Sequence, residues 1–73
     1  MTNETENLQD WQLRVVEEHS QLQEKTTKLG AFLASNATAS IEMTDFRLLA
    51  AQHNCMKAYL NILEMRIANW VKQ

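Results

Sequence analysis

The sequence predicts an all-α protein: an antiparallel two-helix hairpin that assembles into a helical-bundle homo-oligomer. Three observations support this expectation. The 73 residues contain no proline and a single glycine, so nothing interrupts long helices except one short polar stretch. On either side of that stretch, apolar residues recur at helical spacing. The second segment also carries more apolar surface than one partner helix can cover.

The first helix is expected over about residues 7–35, after a polar tail at 1–6. Leu8, Trp11, Val15, Leu22, Leu29, Phe32 and Leu33 follow steps of three, four and seven, which place them on one stripe. Glu18, Lys25 and Thr26 interrupt it. Thr5, Glu6 and Asn7 offer hydroxyl, amide and carboxylate groups suited to a helix start. Ser35 and Asn36 mark its end, because asparagine tolerates the left-handed conformation that closes many helices. Gly30, inside the helix, costs up to about 1 kcal/mol relative to alanine and points to a close approach by another backbone.

The connector is expected at 36–43 and the second helix over about 44–72. Thr44 is the expected N-cap, Asp45 places negative charge at the positive end of the helix dipole, and Met43 with Leu48 would form a hydrophobic staple. Leu49, His53, Met56, Leu60, Leu63, Ile67 and Trp70 share one face in near-heptad spacing. Two helices of about 29 residues, roughly 43 Å each, match end to end. Leu48, Cys55, Tyr59 and Ile62 form a second strip beside the first, and the two together span about 200° of the helix. The first strip suits the hairpin partner, which leaves the second for another subunit in a four-helix bundle or a higher ring.

Composition narrows the function. A domain this small needs support beyond its own core, and its lone Cys55 rules out an intrachain disulfide. The polar, acidic start is unlike a secretory leader and no stretch has the length of a membrane span, so a soluble intracellular protein is expected. That setting makes the Asn36-Ala37-Thr38 sequon coincidental. The net charge of −2, with Asp10, Glu17, Glu18 and Glu24 on the first helix, argues against DNA binding. His53 and Cys55 point about 200° apart on a helix and His19 lacks a ligand one turn on, so no metal or other cofactor is expected. No nucleophile elbow, phosphate loop or HExxH motif occurs, and no catalytic residue is assigned. His53 reads as a hydrogen-bonded residue at the core edge and Cys55 as a small buried hydrophobe.

A ligand-binding set remains. Arg14, Lys25 and Lys28 flank the stripe of the first helix near Trp11, and Arg66 lies close to Tyr59 on the second strip. Aromatics that stack and cations that hold phosphate suit a small anionic ligand containing a base. The plainer alternative makes Asp10–Arg14 and Glu24–Lys28 surface ion pairs, with Trp11 and Tyr59 as packing residues.

Arg14-Val15-Val16-Glu17-Glu18, Lys25, Lys28-Leu29 and Phe32-Leu33, followed by Leu48-Leu49, Gln52, Met56, Tyr59, Ile62-Leu63 and Arg66-Ile67, resemble a family of small helical-hairpin proteins of tailed bacteriophages, including crAss-like phages. The resemblance covers about residues 11–70. It implies a phage accessory protein in the host cytoplasm and brings no catalytic or binding residues with it. In size and architecture the chain is also similar to the anti-CBASS sponges, which sequester cyclic oligonucleotide signals. The expected function is therefore non-enzymatic counter-defence by stoichiometric binding, with a cyclic nucleotide or a host defence protein as target. The alternative is a helical adaptor that receives a partner helix on Leu48, Tyr59 and Ile62.

Overall fold

The computed structural model describes residues 8–71. Helix α1 spans Asp10–Leu33, a short 3₁₀ helix spans Asn36–Ser40, and helix α2 spans Met43–Val71, with no strand among the described residues. The two long helices lie antiparallel. Residues early in α1 face residues late in α2, as the pairing of His19 with Glu64 shows.

The helix boundaries follow local hydrogen bonding. At the start of α1, the Gln9 backbone N–H donates to the Gln12 side-chain carbonyl at 2.8 Å, and Asp10 places its charge in the first turn. The expected cap at Thr5, Glu6 and Asn7, and the 1–6 tail, lie outside the described residues. The far end of α1 departs from expectation. No described residue adopts positive φ; the Ser35 N–H reaches the Phe32 carbonyl at 3.0 Å, tightening the last turn into the 3₁₀ helix. Local hydroxyls complete that turn, with Ser35 Oγ donating to the Phe32 carbonyl and accepting from the Ala37 N–H, and Thr38 and Ser40 donating to carbonyls three residues back. Ser and Thr thus form an ordered bend without left-handed asparagine.

Helix α2 starts one residue earlier than expected, and Glu42 replaces Thr44 as its cap. The Phe46 N–H bonds the Glu42 carbonyl at 3.0 Å, while the Glu42 carboxylate accepts the Thr44 N–H at 3.1 Å. This shift moves the staple positions to Ile41 and Phe46, which line one hollow with Met43. Met43 and Leu48 stay exposed, at 62% and 64%.

The hairpin interior is thin. Val15, Thr26 and Leu63 are the buried residues among those described, with Leu63 fully enclosed. Thr26, an apparent break in the apolar stripe, donates its hydroxyl to the Leu22 carbonyl at 2.7 Å, so its burial leaves no unmet polar group. The rest of the first α2 strip, Leu49, His53, Met56, Leu60, Ile67 and Trp70, is half-buried against α1. Helix α1 has 24 residues against 29 in α2, so the two are not the equal pair that periodicity suggests. The radius of gyration is 16.1 Å, against about 11 Å for a compact chain of this length.

Candidate functional site

Two sets of contacts across the hairpin define its two broad faces. On one, the His19 imidazole meets the Glu64 carboxylate at 3.1 Å, and the His53 ring packs on Gly30, where an added Cβ would lie 2.9 Å from Nε2. Gly30 therefore makes room for an imidazole, not for the backbone that its sequence suggests. His53 makes no hydrogen bond among the described residues, contrary to expectation. On the other face, at the open end of the hairpin, the Trp11 and Trp70 rings meet edge to face with centroids 5.2 Å apart. The Arg66 guanidinium lies 5.9 Å from the Trp70 ring centroid, at the outer reach of a cation–π contact.

Helical geometry places the remaining residues relative to these contacts. Each residue turns about 100° and rises about 1.5 Å, so Arg14 and Lys25 lie within roughly 60° of Trp11, and Tyr59 within about 20° of Arg66. All five share the tryptophan face. The opposed pairs His19–Glu64 and Gly30–His53 set the register. Lys25 consequently stands level with about residue 58, within one turn of Tyr59, while Arg14 stands level with about residue 69, beside the tryptophans. Trp11 and Lys25 are separated by roughly 21 Å along α1.

Five of the six sequence-derived ligand residues thus fall into two groups on one face. Trp11, Arg14 and Arg66 gather at the open end, and Lys25 and Tyr59 lie near mid-length. Lys28 sits farther round α1, where it pairs with Glu24 at 2.9 Å; its hydrogen bond and charge hold the Glu24 carboxyl below the usual range. The Asp10–Arg14 pair expected beside it is not formed. Lys25, Arg14 and Arg66 have no ion-pair partner among the described residues, which leaves these cations available to an anion. Trp70 belongs with them and was missed by sequence reasoning, which took it as core. A tryptophan in the last turn of α2 opposite one in the first turn of α1 was the available signal.

The same face carries the second apolar strip. Leu48, Tyr59 and Ile62 are 64%, 44% and 50% exposed, and Cys55 is exposed where sequence suggested a buried thiol. Its side chain points away from α1, so the thin hairpin core cannot enclose it. The strip also includes Met65, 57% exposed, which the sequence reading left out. No group of three or more His, Cys, Asp or Glu side chains converges among the described residues, and no described helix is long and apolar enough to cross a membrane.

The family model of the Sequestins matches residues 9–69, taking in both helices, the bend and every residue named above on the tryptophan face except Trp70. The chain belongs to the Sequestin family. It is also 38% identical over 60 residues to the "Uncharacterized 7.5 kDa protein in denB-rIIB intergenic region" of Enterobacteria phage T4, an alignment covering 82% of this chain and 94% of the phage protein. No solved structure matches. Sequestin membership and the phage relative agree with the resemblance to small phage accessory proteins.

Proposed function

We propose that this Sequestin is a non-enzymatic phage accessory protein that acts in the host cytoplasm by stoichiometric sequestration. Its target is a small anionic ligand containing a base, of the cyclic nucleotide class used as a defence signal. The family name denotes sequestration, and a phage relative supports a role during infection. The observation that carries the reading is the aromatic–guanidinium cluster Trp11–Trp70–Arg66, on the same face as Arg14, Lys25 and Tyr59. A tryptophan face accepts a base by stacking, worth about 1–3 kcal/mol per base, while Arg14, Lys25 and Arg66 supply charge-assisted hydrogen bonds to phosphate oxygens. Sequestration asks only for tight binding, so no nucleophile or general base is required.

Binding of cyclic di- and trinucleotides, followed by titration calorimetry, tests the reading. Replacing Arg14 and Lys25 together by alanine is expected to abolish binding while helicity is retained. Arg66→Ala is expected to weaken binding at least about tenfold, as loss of a charged hydrogen bond of roughly 1.5–3 kcal/mol implies. Unchanged affinity in both variants would contradict the proposed site. A second reading, a helical adaptor or inhibitor gripping a host protein, draws on the exposure of Leu48, Tyr59 and Ile62. On that reading nucleotide has no effect and Ile62→Asp abolishes capture of the partner.

A further inference from the structure

We infer that the exposed strip of α2 is a self-complementary seam that packs antiparallel against the same strip of a second copy of this chain. Leu48, Cys55 and Ile62 recur every seven residues, and Ala51, Ala58 and Met65 recur between them, giving the a and d positions of a heptad pattern on the outside of the hairpin. All six are exposed. None is charged, and Arg47 and Arg66 stand just beyond the two ends of the strip. It is about 26 Å long and one helix wide, a few hundred Å², the scale at which exposed apolar area marks an interaction site.

Its internal order favours a second copy over a foreign helix. An antiparallel two-fold axis through the middle of the strip sets Leu48 against Met65 of the partner subunit, Ala51 against Ile62 of the partner subunit, and Cys55 against Ala58 of the partner subunit. Each apolar residue then meets another, large side chains meet at both ends, and alanine faces isoleucine where bulk must alternate with space. Small residues at the centre let the helices approach closely. The hairpin also needs such a cover, since Val15 and Leu63 are its only buried apolar residues among those described and small domains commonly gain stability by association.

The pairing has a consequence for the site, which rests on the sequestration reading. Gln52, Tyr59 and Arg66 border the seam on one edge, so the two Tyr59 rings would stand about 8 Å apart along the axis between two Arg66 side chains. One ligand per two chains follows.

The oligomeric state of the ligand-free protein tests the seam separately from any nucleotide result. Native mass spectrometry and light scattering at micromolar concentration are expected to give twice the chain mass. Ala58→Arg, exposed on the single hairpin and compatible with a helix, is expected to weaken self-association at least about 100-fold, because an unpaired charge would be enclosed. Thr27→Arg on α1 is expected to leave the dimer intact. Disulfide capture checks the orientation in a Cys55→Ser background. Ala51→Cys with Ile62→Cys should give a reducible covalent dimer, whereas Ala51→Cys alone should not; within one helix the two positions are about 16 Å apart and cannot bridge. A monomeric wild type, an Ala58→Arg variant that remains dimeric, or covalent dimer from Ala51→Cys alone would each overturn the inference.

Discussion

Gly30 and His53 show how much one side chain can decide. Alanine at position 30 should gain up to about 1 kcal/mol of helix propensity, but its Cβ would meet the His53 ring at 2.9 Å. Gly30→Ala is therefore expected to show little or none of that gain alone and to recover it when His53 is also alanine, as read by a double-mutant thermal unfolding cycle. Additive effects would mean that the ring moves aside freely. Glu42 gives a second residue-scale test. Hydrogen bonds from Thr44 hold its carboxyl below the usual glutamate range, so the folded state favours the charged form. Stability from this group is present above the unfolded glutamate pKa of about 4.3 and is lost as pH falls through the depressed folded value. In an NMR titration, the Glu42 carboxyl and Thr44 amide should move together with a midpoint below that of an unstructured glutamate, and Glu42→Gln should remove the transition. Neither relation was legible in the sequence. Gly30 announced a close approach without naming its neighbour, and Thr44 is by composition the better cap, overruled because the chain leaves the 3₁₀ turn with the Glu42 carboxylate already facing the helix end.

Elements were easier to read than their ends. The stripes Val15–Leu22–Leu29 and Leu49–Met56–Leu63 express a 3.6-residue period over many turns, and both helices lie where those stripes predict. The bend was less legible because its serines and threonines can satisfy their own backbone through local hydroxyl bonds, a choice that asparagine at position 36 does not reveal. The helix–helix contact depends strongly on Leu63, the one fully buried side chain among the described residues. Leu63→Ala is expected to cost about 2–5 kcal/mol, enough to abolish cooperative melting of so small a hairpin in a circular dichroism scan. Leu48→Ala, at an exposed position on the other strip, should change the melting of a dissociated hairpin by far less. Equal losses would mean that both strips are buried in the same packing event.

At the scale of the molecule, sequence periodicity identified two apolar strips on α2, and the structure assigns the first to α1 and leaves the second in the open. The aromatic and cationic residues could be chosen from their types alone, but which of them meet could not. Trp11 reaches Trp70 and Arg66 because antiparallel pairing brings opposite ends of the chain together, a long-range relation that local spacing does not encode. The rise of α1 keeps Lys25 about 21 Å from Trp11 along the helix, so a ligand touching both must be extended or be held by two copies. Native mass spectrometry of the purified protein with a panel of cyclic di- and trinucleotides tests the central claim most directly. The expected result is an assembly that gains a fixed number of nucleotide masses and loses them when Arg14 and Lys25 are alanine. An assembly that takes up none of these nucleotides would contradict sequestration of a cyclic nucleotide and turn attention to a host protein as the target.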